Sequence, residues 1–148
     1  MTDVGNTPAF YRTALFVCDI CVLLWLLLTG CQSGTKEPQK VKELEYTVLE
    51  PLEQPEEVKK VVEERKEEPF QFVYSDGEYM YLTAGYGKQS TGGYSIAVES
   101  VYLAREPECI VADLTFLGPD KKEKQKKADT YPYIVLKTEA REEPVAFR

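Results

Sequence analysis

The chain contains no histidine among its 148 residues. That removes the usual general base, the commonest nitrogen ligand for metals, and every Ser-His or Cys-His pairing on which hydrolases rely. Positive charge is also scarce: 18 basic residues face 25 acidic ones, giving a formal charge of -7 and a pI near 4.8. Sequence-independent grip on a nucleic-acid backbone needs clustered Lys and Arg, so nucleic acid is excluded as a partner. Cysteine is nearly absent beyond the first part of the chain. Cys18, Cys21 and Cys31 sit in or at the end of an apolar N-terminal stretch, and Cys109 alone lies further on, in the strand-like run "ECIVADLTF". A lone Cys in such a run behaves as a small hydrophobe, and no internal disulfide is expected. With 43% apolar residues, the chain has material for one core of ordinary size.

The longest uninterrupted apolar run, Ile20 to Leu28, is nine residues. As a helix it covers about 13 Å against roughly 30 Å of bilayer hydrocarbon. Extending it back to Thr13 would bury Asp19, at roughly 2.5–3.5 kcal/mol at a helix centre. Residues 1–30 are therefore expected to be an export signal. Its end, Leu28-Thr29-Gly30-Cys31, resembles a bacterial lipobox, which implies cleavage before Cys31 and lipidation of that residue. Two acyl chains on one cysteine suffice for stable anchoring, so a membrane lipid is an expected partner and the domain should face outside the cytoplasm. The mature chain would keep 17 basic and 23 acidic residues, since Asp3, Arg12 and Asp19 leave with the signal.

Residues 31–42 are polar, contain Gly and Pro, and are expected to be a tether. The folded domain should occupy 43–139, with 140–148 as a tail. In "ELEYTVLEP" the alternation of Leu44, Tyr46 and Val48 predicts a strand ended by Pro51. "QPEEVKKVVEERKEEP" predicts a three-turn helix. Pro55 suits its start, Glu56 and Glu57 its positive end, and Val58, Val61 and Val62 form a buried stripe. The pairs Glu56–Lys60, Lys59–Glu63 and Lys60–Glu64 lie on the wet face. "FQFVYS" and "EYMYLTA" flank Asp76-Gly77, a strong two-residue hairpin signal. "YSIAVESVYLA" and "ECIVADLTFLG" predict a second strand pair joined around Arg105-Glu106-Pro107, and "TYPYIVLKT" a last strand. The fold class is thus α+β: a single small domain of five to six mostly antiparallel strands with one helix packed on the sheet.

Three features invite functional readings. Lys121, Lys122, Lys124, Lys126 and Lys127 fall in one connection, which reads as a solvated loop or as a cationic patch for an acidic partner or anionic headgroups. Tyr79, Tyr81, Tyr86 and Tyr94 could form an aromatic platform for an envelope glycan, peptide or cell-wall polymer. The glycines of "AGYGKQSTGGYSI" do not fit phosphate-binding spacing, because Gly85-Tyr86-Gly87 is followed three positions on by Ser90 and then by a strand. A backbone corner at Thr91-Gly92-Gly93-Tyr94, aiming Tyr94, Ile96 and Val98 at the core, explains them better. No catalytic, metal-ligating or cofactor-binding set emerges.

Ala84-Gly85, Thr91-Gly92-Gly93-Tyr94-Ser95-Ile96 and, about forty residues on, Thr130-Tyr131-Pro132-Tyr133-Ile134-Val135 together resemble the C-terminal domain family named after PrcB. The resemblance covers roughly Tyr79 to Lys137. It implies an exported, non-catalytic accessory protein that helps a surface protease complex form or persist, with an extracytoplasmic protein, a protease among the candidates, as its partner. The family's motif residues bring no catalytic role with them.

Overall fold

The computed structural model describes residues 37–119 and 127–148. The expected export signal, Cys31, and four of the five lysines (Lys121, Lys122, Lys124 and Lys126) lie outside the described residues.

Strong β-formers dominate from Phe70 onward, and the described chain is mostly strand. Its strands are β1 (Gln39–Glu43), β2 (Thr47–Val48), β3 (Phe70–Ser75), β4 (Tyr79–Gly85), β5 (Gln89–Thr91), β6 (Ser95–Arg105), β7 (Cys109–Leu117), β8 (Lys127–Thr130), β9 (Tyr133–Glu139) and β10 (Val145–Phe147), with one helix, α1 (Glu56–Arg65). They form a four-stranded sheet β1-β6-β7-β10, a second four-stranded sheet β2-β9-β4-β3, and a two-stranded ribbon β5-β8. The pairings are antiparallel except that β10 runs parallel to β7.

Side-chain alternation sorts β4 and β9 between two cores. Met80, Leu82, Ala84 and Leu136 meet Val101, Ile110, Ala112 and Leu114 of the first sheet, so the two four-stranded sheets face each other across a shared interior. On the opposite face of the second sheet, Phe70, Tyr81 and Val135 pack against Val58 and Val62 of α1. Burying each of those valines contributes roughly 1.5–3 kcal/mol, which is what keeps so short a helix docked. Cys109 is free and buried, in a small cluster with Tyr102, Ala104 and Val111.

The structure corrects the expected boundaries in several places. Among the described residues there are ten strands rather than five to six: β1 and β10 form in the segments expected as tether and tail, β5 in the glycine-rich stretch before β6, and β8 just ahead of the expected last strand, parted from β9 by Tyr131-Pro132. Gln39–Lys42, expected as tether, pairs with β6 through a bulge between Lys40 and Lys42. Val145–Phe147, expected as tail, joins β7. The helix is present, but Val61 is only half-buried, and its ion pairs are three residues apart, Lys59 with Glu56 at 2.8 Å and Lys66 with Glu63.

The hairpin is shifted by one residue. Asp76 N–H donates to the Tyr79 carbonyl at 3.1 Å, so the two loop residues are Gly77 (φ 97°) and Glu78. Asp76 Oδ1 accepts from the Glu78 and Tyr79 amides at 3.0 and 2.7 Å, and Oδ2 from the Tyr81 hydroxyl at 2.9 Å. These bonds, the Tyr79 amide foremost and the Tyr81 hydroxyl next, hold the Asp76 carboxyl below its ordinary pKa. Burial and then the Asp76 carboxylate push the Tyr81 phenol up to about 12.

Candidate functional site

Of the chain's crossings between the two large sheets, two run through the β5-β8 ribbon. The first leaves β4 at Gly85, passes along β5 and turns at Gly92-Gly93 into β6; the second arrives through β8 and passes Tyr131-Pro132 into β9. Thr130 Oγ1 donates to the Thr91 carbonyl at 2.9 Å, and the Tyr86 amide donates to the Pro132 carbonyl at 2.8 Å. Lys88 Nζ lies 2.8 Å from Asp129 Oδ2 across the ribbon. The two motif segments, distant in sequence, therefore make one corner.

Glycine serves this corner by two different means. Gly93 turns with φ 86°, a conformation that other residues adopt at a cost of roughly 1–2 kcal/mol. Gly85 is needed for space: a Cβ there would sit 2.2 Å from Phe70 Cε1, so its absence lets the Phe70 ring lie flat on β4. Gly92, by contrast, has no atom within 4 Å of where its Cβ would be, and its φ is not positive. The expected corner thus rests on Gly93 rather than on both glycines. Ile96 and Val98 pack against the interior as expected, but Tyr94 precedes β6 and does not join them. Its ring meets Tyr86 edge-on at 5.2 Å, and Tyr86 in turn meets Phe116 edge-on at 5.0 Å.

Beside this aromatic row opens a groove of about 550 Å³, lined by Pro69, Phe70, Gln71, Gly85, Tyr86, Gln89 and Phe116. Phe116 is 37% exposed and its neighbour Leu117 44%. The lining holds no carboxylate, amine or thiol, so the groove offers apolar contact, two side-chain amides and the Tyr86 phenol. A second groove, of about 790 Å³, is lined by Glu43, Leu44, Glu45, Tyr46, Thr47, Leu49, Tyr79, Lys137, Thr138 and Glu139. It is larger, but Lys137 Nζ already sits 3.6 Å above the Tyr79 ring there, and none of the motif residues borders it. The corner groove is the better candidate. Among the described residues no group of three His, Cys, Asp or Glu side chains could hold a metal ion.

The four tyrosines proposed as a platform do not come together. Tyr79 and Tyr81 pack on the helix side of the second sheet, with Tyr81 only 6% exposed, whereas Tyr86 and Tyr94 stand at the corner. Tyr79 and Tyr86 are seven residues apart along an extended segment, about 23 Å. Of the five lysines, Lys127 is described: it is exposed, opens β8 and pairs with Thr91. Sequence reasoning missed Phe70 and Phe116, the walls of the groove. One signal was available, since the adjacent Phe116 and Leu117 break the alternation of β7 and leave an apolar side chain on each face of a strand end.

No curated protein and no solved structure matches this chain. A family model does match, over residues 80–139, from the second residue of β4 to the end of β9, a span that includes the ribbon and both motif segments. Over that span the chain is similar to the family described as PrcB C-terminal.

Proposed function

We propose that this chain is a non-catalytic accessory protein, anchored through a lipidated Cys31 on the outer side of a bacterial membrane, that stabilises a protease-containing surface complex by docking a protein partner in the corner groove. The observation that carries the reading is the groove itself: exposed Phe116 and half-buried Tyr86, backed by Phe70 over Gly85, border a largely apolar cleft without carboxylate, amine or thiol at the motif corner. Aromatic anchors in partly formed pockets are the usual centres of protein interfaces. The match to the PrcB C-terminal family over residues 80–139 supports an accessory role, and the lipobox-like Leu28-Thr29-Gly30-Cys31 supports the anchor.

The test joins two variants in the producing cell. Cys31→Ala should abolish incorporation of a fatty-acid analogue; labelling that persists rules out this anchor. Phe116→Glu places a charge on the groove wall and should weaken co-purification of the partner about 30-fold, as expected for a hot-spot residue worth some 2 kcal/mol. Unchanged co-purification from a folded Phe116→Glu protein refutes the groove as the docking site.

A further inference from the structure

Exposed sheet edges present unpaired N–H and C=O groups, and folded proteins ordinarily blunt them with charge, proline, bulges or shortness. Three of the four outer strands of the two large sheets follow that rule. β1 carries Lys40, Lys42 and Glu43 and a bulge; β2 has two residues and β10 three. β3 does not. Its six residues, Phe70-Gln71-Phe72-Val73-Tyr74-Ser75, include no charge and no proline, pair in unbroken register with β4, and among the described residues pair with nothing else.

The direction of its free groups follows from the turn. Because the Asp76 amide bonds the Tyr79 carbonyl, pairs two residues back along the ladder, Tyr74↔Tyr81, Phe72↔Thr83 and Phe70↔Gly85, are the hydrogen-bonded ones. Gln71, Val73 and Ser75 therefore turn their N–H and C=O groups away from β4, to the open side. All three are exposed, Val73 by 39% although it is apolar. The near end of this edge, Pro69 to Gln71, is also a wall of the corner groove opposite Phe116.

We infer that β3 is a strand-acceptor edge, at which an extended segment of the partner protein adds to the second sheet and continues into the corner groove; this rests on the docking role proposed above for that groove. The local chemistry specifies the segment. On the groove side its alternate side chains would lie along Gln71, Val73 and Phe116, which calls for uncharged, apolar residues. On the helix side they would pass Phe72, over whose ring Arg65 stands at 5.9 Å, and that cation calls for a carboxylate there. Backbone bonds from three residues supply the affinity, while the apolar alternation and the Arg65 partner supply the selection.

The probe is a capped synthetic peptide, Thr-Val-Glu-Val-Thr-Val, added at millimolar concentration to the full chain in detergent micelles and followed by amide hydrogen exchange. The expected result is slowed exchange at Gln71, Val73 and Ser75, with the amides of β1 and β10 unaffected. Replacing Glu by Lys in the peptide should weaken binding about two- to five-fold, the range for an exposed ion pair. Val73→Pro removes an outward N–H without touching the β3-β4 ladder, and should abolish the effect with the fold retained; Gln71→Pro serves the same purpose if Val73→Pro fails to fold. Perturbation of Tyr86 and Phe116 without protection of the β3 amides overturns strand addition and leaves the groove reading standing. Protection of those amides without peptide, rising with protein concentration, overturns it in favour of a second copy of this chain. No protection under any condition also overturns it, and the groove is then judged separately by Phe116→Glu.

Discussion

Gly92 and Gly93 are neighbours in the same motif, yet the structure assigns them opposite responses to the same substitution. At Gly93 the backbone sits at φ 86°, so an added methyl meets its own chain and Gly93→Ala should cost about 1–2 kcal/mol. At Gly92 the methyl enters open space with no unfavourable φ, and Gly92→Ala should stabilise by about 0.4–1 kcal/mol because the unfolded chain loses freedom. The two variants should thus differ by about 2 kcal/mol. With a urea slope of roughly 1–3 kcal/mol per molar, their unfolding midpoints should separate by about 1 M. The assay is urea unfolding of residues 37–148 followed by tyrosine fluorescence, with Gly93→Asn as a check, since Asn tolerates positive φ better and should recover part of the loss. Equal midpoints, or a Gly92 variant weaker than its neighbour, would refute the corner geometry. Partner binding should fall only in proportion to the unfolded fraction in either case.

Three further outcomes follow from other parts of the molecule. Thr83 is fully buried beneath α1 and its hydroxyl makes no hydrogen bond, so Thr83→Val should stabilise by about 1 kcal/mol and raise the melting temperature by roughly 5 °C; a fall would mean that the hydroxyl is paired. The Asp76–Tyr81 contact should give stability two pH limits. Asp76 has a depressed folded-state pKa, so its contribution is present above the ordinary carboxylate range and lost as pH falls through the folded value. Tyr81 has a raised one, so its contribution is complete below about 10 and lost as pH rises towards about 12; Tyr81→Phe should remove the alkaline slope in a stability–pH profile. Replacing Lys121, Lys122, Lys124, Lys126 and Lys127 by Gln should leave the melting temperature nearly unchanged and weaken partner binding in low salt only; binding unchanged at every ionic strength would remove the patch from the account.

What the residues announce in advance is what local chemistry decides. Pro55, two glutamates and valines at helical spacing specify α1 without help from the rest of the chain, and Asp-Gly between β-formers places the β3-β4 hairpin. The one-residue shift of that turn arises because Asp76 contributes its side chain to the Glu78 and Tyr79 amides instead of occupying the loop. The division into two sheets is not visible locally: β4 reads Tyr-Met-Tyr-Leu-Thr-Ala-Gly, and six of those seven are buried because the interior lies on one side and α1 on the other. β1 and β10 escape notice for a related reason. Polar Gln39-Lys40-Val41-Lys42-Glu43 and the short Val145-Ala146-Phe147 become strands only through neighbours far away in sequence. The corner could be read from TGGY and T-x-P-Y as a pair, but the groove could not, since it depends on Phe70 lying on Gly85 and on Phe116 meeting Tyr86 across thirty residues.

The central claim is that the corner groove holds a protein partner in the living envelope. A photo-crosslinking amino acid at position 116, on the groove wall, and another at position 52, where Leu52 is 94% exposed in the turn before α1, test it directly in intact cells. The account predicts one discrete, protein-sized adduct from position 116, lost when Gln71→Trp, at an exposed residue of the groove wall, fills the groove, and none from position 52. Adducts only with lipid or cell-wall material, or equal adducts from both positions, would contradict it.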